Sequence, residues 1–231
     1  MNIVITGTHK GIGRSLAEYY LSKGNNVAGC SRHDTDISHP NYLHCTADVR
    51  SEEQVLSFTK AVREKFGYAD ALVNNTGVAS MNHFLMTPIE TAKNIMDVNY
   101  FGSIICIRSF FSLLRKSAHP RIVNFSSVAV PLSLEGELSY ASSKAAIESM
   151  TKILAKEAAN FRITVNALGP CPVETDLIRN VPGSKIQALL ERQAIHRFGK
   201  FEDIANVIDF YINPASDFVT GQVIYLGGIS R

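Results

Sequence analysis

Seven short runs rich in β-branched and apolar residues recur along the chain, at Ile3 to Thr6, Val27 to Ser31, Leu43 to Ala47, Ala71 to Asn74, Ile122 to Ser126, Ile163 to Leu168 and Val223 to Leu226. Most of the intervals between them carry helical periodicity. This alternation predicts an α/β fold, a doubly wound parallel sheet of about seven strands with helices on both faces, because parallel neighbours need a crossover that packs back onto the sheet. Between the first two runs Ile12, Leu16 and Tyr20 share a helical face, and Gly24 supplies a left-handed stop. The next helix is announced by Ser51 with Gln54 as a capping box, ahead of an apolar stripe of Val55, Phe58, Val62 and Phe66.

With 231 residues, 45% of them apolar, the chain is long enough to bury one sizeable core. It contains no internal repeat, low-complexity tract or linker, so a single domain over 1–231 is expected. The stretch from Cys171 to Lys200 differs: it holds charges, Pro182-Gly183 and a short amphipathic segment without a strand, and reads as an excursion over an active site. The 23 basic and 21 acidic residues leave a net charge of +2, which favours a small-molecule substrate over nucleic acid or an anionic membrane. Cys30, Cys45, Cys106 and Cys171 lie far apart without a Cys-x-x-Cys pair, so no metal site or disulfide framework is indicated. Residues 2–5 already read as a strand and no run of about 18 apolar residues occurs, so a cytoplasmic protein is expected.

Directly after the first strand stands Thr6-Gly7-Thr8-His9-Lys10-Gly11-Ile12-Gly13. Glycines there permit a tight turn and bring backbone N–H groups, at a helix N-terminus, against a pyrophosphate. The second strand ends Cys30-Ser31-Arg32, with no carboxylate before Asp34, and Lys10 adds a cation on the same side. A guanidinium at that position pairs with a ribose 2′-phosphate where a carboxylate would take the 2′-OH, so NADP(H) is the expected dinucleotide.

Tyr140 and Lys144 are four positions apart in Tyr-Ala-Ser-Ser-Lys-Ala-Ala and share a helical face. An ammonium beside a phenol favours the phenolate, and so makes a tyrosine useful in acid–base chemistry. Tyr19 with Lys23 has the same spacing, but lies beside the core stripe of the first helix and reads as packing and surface. What marks Tyr140 is its setting, with Ser127 thirteen residues upstream at the carboxyl end of a strand, where open α/β sheets bind ligands.

The glycine loop, Asn74-Asn75-Thr76-Gly77, Asn99, Ser127, Tyr140-x-x-x-Lys144 and the segment from Asn166 to Thr175 together resemble the short-chain dehydrogenase/reductase family over nearly the whole chain. Within it, the nearest flavour is the bacterial 3-oxoacyl-[acyl-carrier-protein] reductase group. The resemblance implies a Rossmann-type domain and an enzyme that interconverts carbonyl and alcohol. It implies Tyr140 as general acid, Lys144 holding the nicotinamide ribose and lowering the tyrosine pKa, Ser127 bonding the substrate oxygen, and Asn99, inside the helix after the fourth strand, anchoring a relay water. Gly7, Thr8, His9, Lys10, Gly11, Ile12 and Gly13 would hold the dinucleotide together with Arg32. Asp48 and Val49 would bracket the adenine, Asn75, Thr76 and Gly77 would line the cleft, and Pro170, Val173 and Thr175 would lie at the carboxamide. A homotetramer through helices spanning Ile89 to Arg115 and Ser139 to Ala159 is implied as well.

Three positions depart from the family pattern: Thr76 for alanine, Cys171 for glycine, and Gly227 where aspartate-glycine usually ends the last strand. Cysteine cannot take positive φ cheaply, so the nicotinamide loop is expected to run differently. Substrate choice falls to Ala79 to Met86, Val128 to Leu138 and Asp176 to His196, where apolar residues mix with Glu135, Glu137 and Arg179. A 3-oxoacyl or general ketone substrate, acyl-carrier-linked compounds among them, leads. A sugar or polyol dehydrogenase and a catalytically inactive dinucleotide-binding regulator are the alternatives.

Overall fold

The computed structural model describes residues 1–173 and 183–229. Its first half runs β1 (Asn2–Thr6), α1 (Gly11–Ser22), β2 (Asn26–Ser31), β3 (Tyr42–Thr46), α2 (Glu52–Phe66), β4 (Ala71–Asn74), α3 (Ile89–Met96), a π-helical segment (Asp97–Phe101) and α4 (Gly102–Leu114). The second half runs β5 (Arg121–Phe125), a one-turn α5 (Ala129–Leu132), α6 (Leu138–Glu157), β6 (Thr164–Gly169), α7 (Gly183–Glu191), α8 (Phe201–Ile212) and β7 (Val223–Tyr225). The seven strands form one sheet in the order β3-β2-β1-β4-β5-β6-β7, and every neighbouring pair is parallel. Each strand lies within one residue of its expected bounds at either end. The order reverses between β1 and β4, which makes the crevice beyond those strand ends the place where an open sheet takes a ligand.

The inner strands β1, β4, β5 and β6 are buried from end to end, as parallel strands covered on both faces must be. One face packs Val4, Leu72, Ile122 and Val165 against Val55, Phe58 and Val62 of α2, Phe110, Leu113 and Leu114 of α4, and Ala155 of α6. The other packs Ile3, Ile5, Val73 and Val123 against Leu16, Ala17 and Tyr20 of α1 and Ile204, Ile208 and Tyr211 of α8. Burying a single such side chain contributes about 1.5–3 kcal/mol, so these two layers dominate the stability.

Three local expectations are modified. Ser51 accepts from the Gln54 N–H at 3.4 Å, but the Gln54 side chain accepts from the N–H of Asp48, at 2.8 Å, rather than from Ser51. Only half the capping box forms. The helix expected across Ile89 to Arg115 is interrupted by the π-helical segment, which brings Asn99 inward, buried to 1% exposure. The excursion is pinned at its base, where Val173 bridges Gly199, and it contains α7.

Candidate active site

Gly7 and Gly11 both adopt left-handed φ, +80° and +60°, and a Cβ at Gly13 would stand 2.3 Å from the Gly7 carbonyl oxygen, so only glycine lets α1 begin this close to the loop. The Gly7 and Thr8 N–H groups donate to the Cys30 carbonyl at 2.7 and 3.2 Å, tying the loop to β2. From the other side, Asn75 donates its side-chain amide to the Thr6 carbonyl at 2.9 Å. The Thr6 hydroxyl accepts the backbone N–H groups of Asn75 and Thr76 at 3.1 and 3.0 Å. The Thr8 side chain is fully buried and its hydroxyl accepts from Tyr42 at 2.9 Å, so it braces the loop from beneath.

At the adenosine end, Arg32 and Lys10 are exposed on the loop side of the sheet. His9 contacts the Asp34 carbonyl at 2.7 Å. Asp48 is paired with Arg50 at 2.6 Å, and that guanidinium holds its carboxyl below the ordinary range, with a smaller contribution from Arg32. Val49 is buried against Gly102, at the start of α4.

The catalytic candidates converge at the carboxyl ends of β4 and β5. Ser127 is buried just past β5, near enough to the Tyr140 phenol to act on its pKa. Burial pushes that phenol up to about 12, and the Ser127 hydroxyl works against the rise. Lys144 is 4% exposed, and its ammonium donates to the Phe125 carbonyl at 2.8 Å; burial pulls its pKa down to about 8. Desolvation governs the phenol here, and the lysine ammonium is held by the end of β5. Asn99 is clamped at both ends: its side-chain carbonyl accepts from Val78 N–H at 2.8 Å, and its amide donates to the Val78 carbonyl at 3.0 Å and to Ser143 Oγ at 2.9 Å. Ser143 directly precedes Lys144, so this clamp joins the β4 loop, the π-helical segment and α6. Gly77 completes the group, since a Cβ there would sit 3.4 Å from both Asn99 Oδ1 and Lys144 Nζ.

Pro170 and Val173 follow β6 into the same crevice, and the Pro170 carbonyl accepts from Val128 N–H at 3.3 Å. Thr175, with Asp176, Ile178 and Arg179, lies outside the described residues. Cys171 keeps out of the left-handed region, as its side chain requires. Among the described residues only Ser133 and Arg162 take positive φ without being glycine, so Cys171 runs through ordinary backbone. Its constraint falls elsewhere, on Gly199, where a Cβ would stand 2.7 Å from the Cys171 sulfur.

A family model described as enoyl-(acyl carrier protein) reductase matches residues 7–229. The chain belongs to the short-chain dehydrogenase/reductase family. This family member is 27% identical to the 3-oxoacyl-[acyl-carrier-protein] reductase of Vibrio cholerae over 231 residues, 97% of this chain and 95% of the relative. It is 28% identical to the enzyme of that name from Staphylococcus epidermidis over 235 residues, 97% and 96% of the two chains. Among solved structures, ligand-free aldohexose dehydrogenase of Thermoplasma acidophilum superposes with a TM-score of 0.89 at 27% identity, covering 100% of this chain and 96% of that one. The three descriptions name different substrates. Membership of the family makes this chain an oxidoreductase of carbonyl and alcohol groups that uses a nicotinamide dinucleotide.

The glycine loop fits such a cofactor. A Cβ at Gly11 would meet nothing within 4 Å, so the loop face is open. The first turn of α1 carries no acidic residue and no side-chain cap, which leaves its N–H groups for an anion. Sequence reasoning missed Glu148, fully buried in α6, whose carboxylate accepts from Ser126 Oγ at 2.5 Å and Tyr225 OH at 2.5 Å. Its position four residues beyond Lys144 was the available signal, since i+4 spacing continues the face that carries the tyrosine and lysine.

Proposed function

We propose that the chain is an NADP(H)-dependent reductase that converts a carbonyl to an alcohol, with a 3-oxoacyl compound or general ketone as substrate and Tyr140 as general acid. The observation that carries this reading is that Ser127 and Tyr140 stand near each other in the crevice with Lys144 buried in the same helix as the tyrosine. When bound, the reduced nicotinamide supplies the hydride. Negative charge then builds on the carbonyl oxygen, and two hydroxyl donors placed there stabilise the transition state more than the ground state. The Tyr140 phenol releases its proton to that oxygen. A phenol held neutral at rest, as burial holds this one, is in the state that reduction requires. Lys144, Asn75, Thr76 and Gly77 line the nicotinamide end, Gly7 to Gly13 hold the pyrophosphate at α1, and Arg32 with Lys10 takes the 2′-phosphate. Asn99 keeps the β4 loop and α6 in register.

A second reading, a sugar or polyol dehydrogenase, is favoured by the superposition on aldohexose dehydrogenase. We assign a cytoplasmic, single-domain homotetramer to either reading. Exposed Phe101 and Ile153, on the helical layer of the π-segment and α6, support the assembly. A panel of ketones, 3-oxoacyl thioesters and sugars, followed by NADPH absorbance at 340 nm as a standard optical readout, tests the proposal. A folded protein that binds NADPH and turns over none of them would overturn it.

A further inference from the structure

Glu137 occupies the N-cap of α6, three residues before Tyr140, and is 7% exposed. A carboxylate at an N-cap ordinarily accepts from the first-turn N–H groups, yet this side chain makes no capping bond. Nor is it ion-paired: Lys185 of α7 acts on it electrostatically, but no salt bridge joins the two among the described residues. Its Oε2 is buried without a hydrogen-bond partner. This oxygen thus has none of the three usual fates of cap, ion pair or solvent. An unmet buried acceptor costs on the order of 1–3 kcal/mol, and a native fold keeps such a group where something else completes it.

The segment that holds Glu137 is fixed. Ser133 and Gly136 both sit in left-handed conformation, at φ +48° and +82°, and turn the chain between α5 and α6. The Gly136 carbonyl accepts from Asn82 N–H at 2.9 Å, and the Glu137 N–H donates to the Leu134 carbonyl at 3.2 Å. Tyr140 follows in the first turn of the same helix, three residues on, and the carboxyl acts on its phenol electrostatically, raising the pKa. Desolvation pushes the carboxyl's own pKa up to about 7.

We propose that Glu137 is a specificity-determining residue whose carboxyl accepts a hydrogen bond from a substrate hydroxyl next to the reacting carbon, so that the enzyme takes hydroxylated carbonyl compounds, such as hydroxy ketones and sugars, over plain acyl chains. The inference rests on reading Tyr140 as the proton donor. It turns the open question of substrate class toward the second of the two readings above. A plain methylene at that point would leave the acceptor unpaired, and sites built to bond a substrate hydroxyl discriminate against its deoxy analogue by large factors.

The test uses the full-length enzyme with NADPH and a matched pair, 1-hydroxy-2-butanone and 2-butanone. Wild type should favour the hydroxy ketone by about 100-fold or more in kcat/KM, most of it in KM if the bond is made in the ground state. Glu137→Leu should bring the two substrates within about threefold while NADPH binding is unchanged. Glu137→Gln, which keeps shape and one acceptor but loses the charge, should cut the preference by about tenfold and guards against a Leu variant that fails to fold. Equal or reversed preference in wild type, or a preference that survives in both variants, overturns the assignment. Failure of every carbonyl substrate with NADPH bound instead overturns the carbonyl reductase reading on which it rests.

Discussion

The Lys144 ammonium donates to the Phe125 carbonyl oxygen at 2.8 Å, while it stands 5.8 Å from the centre of the Tyr140 ring. The pair that looks like a unit in sequence is thus two groups set apart, the lysine anchored to the end of β5 and the phenol under the influence of Ser127. Their contributions should be separable by mutation.

Tyr140→Phe keeps the ring and removes one hydroxyl donor. General acid catalysis contributes about 10²–10⁴-fold, so single-turnover reduction should slow by that factor while NADPH affinity changes far less. A variant that transfers hydride at the wild-type rate would sink the mechanism.

Lys144→Met is read through stability against pH. The ammonium titrates near 8 in the folded chain and at its ordinary 10.5 when unfolded, so the unfolded chain binds more protons between those values and stability rises with pH across them. The burial penalty is fully present below pH 8 and fades toward 10.5. The stability of Lys144→Met minus that of wild type should therefore fall by up to about 3 kcal/mol over this window, measured by urea unfolding. A difference that stays flat with pH contradicts it.

Arg32 and Lys10 set the cofactor prediction. NADPH should bind at least about tenfold more tightly than NADH, a preference of roughly 1.4 kcal/mol. Arg32→Ala should reduce the ratio, and added salt should reduce it in wild type because the guanidinium is exposed. Equal dissociation constants in wild type count against the 2′-phosphate assignment.

The second tyrosine–lysine pair has a mechanical role. Tyr19, Tyr20 and Lys23 reach Asp209 at 2.6, 3.0 and 2.7 Å, which fastens α1 to α8. Tyr19→Phe should leave turnover unchanged and lower stability by about 1 kcal/mol, as seen in denaturant midpoints. Loss of activity with an intact fold would mean that the site has been misplaced.

What the sequence disclosed follows from how local each signal is. The strands were legible because parallel strands buried on both faces are nearly continuous apolar runs, and Val4, Leu72 and Ile122 fall where such runs predict. The clustering of Ser127, Tyr140 and Asn99 followed from family-like motifs. The π-helical segment was hidden, since one residue added to a helical turn barely disturbs an apolar period. Glu137 stood out only as one of three charges in the apolar stretches that set substrate choice. Its burial accompanies a loop held by Asn82 and Met81, more than fifty positions upstream, which spacing along the chain does not encode. Lys144 pointed to Tyr140 by helical spacing, and the competing acceptor at Phe125 came from a different element.

The π-helical segment also makes the site sensitive to how many residues the chain has, as well as to which ones. Deleting one residue within 97–101 would let the helix rewind to regular α, turning α3 by about 100° relative to α4. Asn99 would then swing off Val78 and Ser143 together. A frame-preserving single-codon deletion there should accordingly be worse tolerated than most substitutions at the same positions, so natural length variation among relatives of this chain should avoid that turn and collect in exposed loops.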